Sequence, residues 1–158
     1  MTTILARRTH VNRGLGSVRV EEAMHPGLIS CRANASVGAV ARVLAGHRIH
    51  AVVLEDGEGG WKVVTDLDLA GAIADRELAD TSAAAISKTT PVFVDPDETL
   101  ERAVEILAER GAHQLVVLGR SSHRPVGVVS TLDIANVFAE LAPPGRPETE
   151  EDHHDEHV

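Results

Sequence analysis

Residues 37–54 of this chain can be laid over residues 100–117 so that the apolar positions coincide. Val37 falls on Leu100, Val40 on Ala103, Ala41 on Val104 and Leu44 on Leu107, and His50 falls on His113. Further along, residues 63–74 lie over 128–139, with the offset grown from 63 to 65. The slip falls in the polar stretches 55–60 and 119–125, and surface loops tolerate insertions. Two copies of one supersecondary unit are therefore expected. No other feature of the chain limits its fold so strongly.

Each copy reads as the same series. A short extended segment (28–31; 92–94) leads into an amphipathic helix. In the second copy Leu100, Ala103, Val104 and Leu107 form the i, i+3, i+4, i+7 stripe, Asp97 or Thr99 is placed as N-cap, and Gly111 is a stop signal. In the first copy Asn34 or Ser36 opens the helix and Gly46 lies near its end. A Val- and Leu-rich strand follows (49–54; 113–118), then a loop and a second strand (61–64; 126–129), which predicts a hairpin. A last helix starts near Asp66 or Thr131 and runs to about Ala79 or Leu141. The order β-α-β-β-α leaves one apolar sheet face bare in each copy. The two copies must bury these faces against each other. The expected fold is α/β of the α+β type: two β-α-β-β-α repeats with pseudo-two-fold symmetry, at residues 18–80 and 81–141. An N-terminal segment (1–17) and an acidic tail (142–158), expected to be disordered, flank them.

Composition narrows the function. Hydrophobic residues make up 43% but aromatics only 2%, so the core is aliphatic and offers little surface for stacking exposed bases. The net charge of −9 argues against nucleic-acid and anionic-membrane partners. Six acids and no Lys or Arg lie between Pro147 and Val158, so much of that charge sits on the tail. One cysteine, Cys31, makes no intrachain disulfide, and a reducing cytoplasm is the expected location. No apolar run is long enough for a membrane span.

The strongest local pattern is Gly127-Val-Val-Ser130-Thr-Leu-Asp133, where a strand runs into a helix; its counterpart is Lys62-Val-Val-Thr65-Asp-Leu-Asp68. A hydroxyl at the N-cap sits at the open end of a helix, where free N–H groups favour anions. An Asp three residues on can accept two hydrogen bonds from a vicinal diol, which is what ribose presents. Gly127 would let a ligand approach the backbone closely. The alternative is a structural capping box. Recurrence at equivalent positions favours a small-molecule sensor.

These features resemble a tandem pair of cystathionine-β-synthase (CBS) domains, a Bateman module, over roughly residues 18–141. The resemblance rests on the repeat length, the element order, the 127–133 motif and the strand entry 111–118. It implies an adenosine-containing ligand (AMP, ADP, ATP or S-adenosylmethionine) in one or two clefts between the repeats. Asp133 and Asp68 would hold ribose hydroxyls, and Ser130 and Thr65 would reach ribose or phosphate. Adenine would lie against the opposite repeat's extended segment, pairing Asp68 with Val92 and Val94, and Asp133 with Ile29 and Cys31. His50 and His113 stand where the family carries a phosphate-facing basic residue. Lys62 replaces the family's glycine beside bulky Trp61, so the Ser130/Asp133 cleft is preferred over the Thr65/Asp68 cleft. The resemblance further implies a homodimer formed through helices and an unidentified protein target. No required cofactor is expected.

No nucleophile with a base partner, metal-ligand set or nucleotide-loop signature is found, so no catalytic residue and no metal site is expected. Cys31 reads as a small buried hydrophobe, and His153, His154 and His157 as part of a solvated tail. A ligand-free dimerisation scaffold is the second reading.

Overall fold

The computed structural model describes residues 14–25, 27–55, 60–76, 78 and 80–142. The expectations for the N-terminal arginines, for tail disorder and for the tail histidines lie outside the described residues.

A lead-in made of a 3-10 turn (Leu15–Ser17) and helix α1 (Val20–Ala23) precedes strand β1 (Ser30–Arg32). Helix α2 (Val37–His47), strands β2 (Ala51–Glu55) and β3 (Trp61–Thr65), and helix α3 (Asp66–Ala74) follow. The second series starts with helix α4 (Ala83–Ile86). It continues with β4 (Phe93–Val94), α5 (Leu100–Arg110), β5 (Gln114–Leu118), β6 (Pro125–Ser130) and α6 (Thr131–Leu141). Each repeat thus has the order β-α-β-β-α. Ser36 and Thr99 cap α2 and α5, their hydroxyls accepting from Ala39 N and Arg102 N at 3.1 Å. Gly111 closes α5 at φ 59°. At the matching end of α2, Arg48 takes the left-handed position (φ 53°), and Gly46 lies inside the helix. Helix α3 stops at Ala74, five residues short of the expected end. The Asp75 N–H bonds back to Gly71 O, and Arg76 turns to φ 57°, which breaks the helical path.

Each repeat holds a three-stranded sheet, with the first strand parallel and the third antiparallel to the middle one. The period-two alternation of a strand explains the packing. In β2, Val52 and Leu54 face the helices of the first core, while Val53 faces the other way. In β5, Leu115 and Val117 enter the second core, while Val116 meets Val53 and Val63 from the first repeat. The two bare faces cover each other, so both middle strands are buried on both sides.

The lead-ins are exchanged. Val18 and Val20 belong to the core of the second repeat, and Ala83 and Ile86 to that of the first. Backbone bonds fix both exchanges: Val20 N and Glu21 N donate to Glu98 O and Pro96 O, and Ala83 N and Ala84 N to Ala35 O and Ala33 O. A division of the chain at residue 80 therefore follows sequence order but not packing. Neither core is complete without a segment from the far side of the boundary.

Candidate functional site

The exchange decides where the polar groups meet. Each lead-in runs past the end of the opposite repeat's last strand, where the next helix begins. Thr65 and Ser130 are the N-caps of α3 and α6. In the first repeat Thr65 N donates to Asp68 Oδ2 (3.0 Å), and Asp68 N to Thr65 Oγ1 (3.1 Å). In the second, Ser130 N donates to Asp133 Oδ2 (2.7 Å), and Asp133 N to Ser130 Oγ (3.2 Å). Both motifs are therefore full capping boxes. The remaining carboxylate oxygen of each acid points at the opposite lead-in. Thr89 Oγ1 donates to Asp68 Oδ1 at 3.1 Å, and His25 Nε2 lies 3.0 Å from Asp133 Oδ1.

The two halves then differ. Asp133 is only 6% exposed; it and Thr65 are the buried polar residues among those described. Met24 and His25 lie directly over Gly127: a Cβ there would come within 2.9 Å of Met24 Sδ and 3.3 Å of the His25 carbonyl oxygen. Gly127 does admit a close approach, but the chain's own lead-in makes it. On the Thr65 side a cavity of about 640 Å³ is open between the repeats. That is a typical size for a small-molecule site. Its walls are the starts of α3 and α6 (Thr65–Leu67; Ser130–Leu132), the segment 89–92, and the turn 111–114 before β5. His50 and His113 both line it, and His50 Nδ1 lies 2.7 Å from Asp66 Oδ2. Thr131 occupies the place equivalent to Asp66, so His113 has no matching carboxylate.

Of the residues singled out in the sequence, Thr65, Val92, His50, His113 and Ser130 converge on this one cavity. Asp68 sits behind Thr89, and Asp133 and Gly127 sit beneath Met24 and His25. Ile29, just before β1, and Cys31 within it pack against the first core, and burial pushes the Cys31 thiol pKa up. Val94 belongs to the second core. The side chains of Ile29 and Cys31, expected beside Asp133, turn into the first core, and the opposite-repeat side chain that meets Asp133 is His25. Lys62 is exposed and does not line the cavity; Trp61 packs at the inter-repeat layer beneath Arg124, whose Cζ is 5.6 Å from the ring centre. Met24, His25 and Thr89 were not found from sequence, because their role depends on the lead-in exchange. Among the described residues no three His, Cys, Asp or Glu side chains converge as metal ligands, and no helix is long and apolar enough to cross a membrane.

Two exchanged α+β repeats around a shared cleft define a tandem-repeat module. The family model of the CBS domain matches residues 20–75 and again 83–140, and the chain belongs to that family. The CBS domain pair of protein MJ0100, solved with 5′-methylthioadenosine and S-adenosyl-L-methionine, is 21% identical. It superposes with a TM-score of 0.69 over 77% of this chain and 96% of that one. The CBS domain protein PAE2072 from Pyrobaculum aerophilum, complexed with AMP, is 25% identical (TM-score 0.68; 78% and 98% covered). Hypoxic Response Protein I with two coordinated zinc ions is 19% identical (TM-score 0.64; 75% and 98% covered). No curated protein matches the chain by sequence.

Proposed function

We propose that this CBS pair is a regulatory module that takes an adenosine-containing small molecule into the cavity beside Thr65 and reports occupancy to a protein partner. The observation that carries this reading is the open cavity of about 640 Å³, walled by both repeats and by two helix N-termini. Relatives of the same fold solved with AMP or with S-adenosylmethionine and methylthioadenosine support it. The sequence-based preference for the Ser130/Asp133 cleft gives way to the Thr65 side, because Met24 and His25 lie over Gly127 and Asp133. Val92 and Pro91 offer adenine an apolar wall, and Thr65 and Thr89 offer hydroxyls to ribose. A ligand touching both repeats shifts their arrangement by its differential affinity for the two arrangements. The reading involves no catalytic step.

Thermal-shift and calorimetric titrations against AMP, ADP, ATP and S-adenosylmethionine test this. At a hundredfold excess over Kd, a binding ligand stabilises the fold by about 2.7 kcal/mol. That raises Tm by roughly 5–10 °C for a chain of this size. No shift with any of the four at millimolar concentration overturns the reading in favour of a ligand-free scaffold.

We also propose that two copies associate through the exposed apolar residues of the last helices, Leu67 and Ile73 on α3 and Leu132 and Phe138 on α6. Sedimentation equilibrium is expected to give a dimer for the intact chain and a monomer for Phe138→Glu. A monomeric intact chain at micromolar concentration sinks the idea.

A further inference from the structure

We infer that the cavity selects adenosine compounds whose 5′ substituent is neutral or positively charged, a thioether or a sulfonium, over phosphate esters. This rests on the adenosine reading above and names the ligand class within it.

The first observation is the charge on the walls. Of the lining residues only Asp66, His50 and His113 ionise, and no Lys or Arg is among them. Asp66 and His50 form a contact of 2.7 Å. Whichever way the imidazole is protonated, that pair sums to zero or to minus one and is never positive. Lys88, next to the 89–92 wall, lies 3.9 Å from Asp75 Oδ2. Arg124 is tied to Glu55 at 3.1 Å.

The second observation is the state of the helix ends. A free helix N-terminus supplies about half a positive charge and unpaired N–H groups. Here the N-cap N–H groups of Thr65 and Ser130 are already bonded to Asp68 and Asp133. Helix α3 carries both Asp66 and Asp68 in its first turn. Two full negative charges there outweigh the half-charge of the dipole. The N-cap, N1 and N3 N–H groups of both helices are thus bonded within the chain, and α3 adds the Asp66 carboxylate at the cavity wall.

A phosphate ester brings up to two negative charges into this space. It must shed water with no Lys or Arg on the walls and only the imidazoles of His50 and His113 to offset its charge, and it faces the Asp66 carboxylate. A thioether meets no such penalty and fits the apolar part of the wall, Val63, Val92, Val116 and Leu132. A sulfonium or ammonium group gains the attraction of Asp66 as well. A carboxylate within several ångströms of a phosphate in a half-dry site changes affinity by about tenfold or more.

Titration calorimetry of the intact chain with 5′-methylthioadenosine, S-adenosylmethionine, AMP and ATP at neutral pH decides it. The thioether and sulfonium compounds are expected to bind at least about tenfold more tightly than AMP, with ATP weakest. Asp66→Asn is expected to raise AMP affinity about tenfold, and Asp66→Glu to keep the original ranking. AMP or ATP binding as tightly as methylthioadenosine to the unaltered chain overturns the charge selection and leaves the adenosine reading standing. Binding of none of the four overturns both. A ranking that Asp66→Asn leaves untouched removes Asp66 from the explanation and overturns the mechanism.

Discussion

Asp133→Ala is expected to destabilise the folded chain by about 2–4 kcal/mol, although Asp133 lies at the surface end of a helix in sequence terms. The carboxylate accepts from Ser130 N and Ser130 Oγ through one oxygen and meets His25 Nε2 through the other. Alanine removes all three contacts in a position that is 6% exposed. The Ser130 N–H then loses its carboxylate partner, and the lead-in over Gly127 loses its anchor. Asp68→Ala is the built-in comparison. Its capping box is the same, but Asp68 is only half-buried, and an expected loss of about 1–2 kcal/mol follows. Urea unfolding followed by far-ultraviolet circular dichroism measures both. Equal losses for the two variants, or a loss below about 1 kcal/mol for Asp133→Ala, would contradict the burial argument.

Val116→Asp is expected to prevent folding of the whole chain, not of the second repeat alone. Val116 is 2% exposed and packs with Val53 and Val63 of the first repeat. An unpaired carboxylate in that layer costs several kcal/mol, most of the 5–15 kcal/mol that stabilises a typical domain. Val116→Ala, which leaves only a small cavity, should fold with a reduced stability. Unfolding of the Val116→Ala variant should be one transition, superimposable by circular dichroism and by fluorescence of Trp61, the single tryptophan. The reason is the lead-in exchange: removing either core withdraws Val20 or Ile86 from the other. Two separated transitions, or a native-like spectrum for Val116→Asp, would rule out a single cooperative unit.

Much of this was legible in the chain. The stripe at 100, 103, 104 and 107 defined α5, and Thr99 and Gly111 marked its ends, because capping and left-handed closure are local chemistry. The hydroxyl–carboxylate spacing located both capping boxes. Less was legible where partners are distant in sequence. Helix α4 is only four residues long, and Ser82 before it is a capping signal that periodicity over longer windows passes over. Gly46 does lie near the end of α2, but the residue that closes the helix in the left-handed position is Arg48, which no glycine signal marks. Gly127 was expected to admit a ligand, and what lies over it is the sulfur and backbone of residues more than a hundred positions earlier.

The sequence by itself determined the duplication, the order of elements, and the residues that cap the helices, because periodicity and capping depend on neighbours within one or two turns. Tertiary structure alone decided that the lead-ins cross to the opposite core, that Met24 and His25 lie over Gly127 and Asp133, and that a cavity between the repeats is lined by Thr65 and Ser130. Those outcomes depend on which apolar segment fills which core. Two repeats of one apolar pattern offer each lead-in two similar cores, and only close packing in three dimensions distinguishes them.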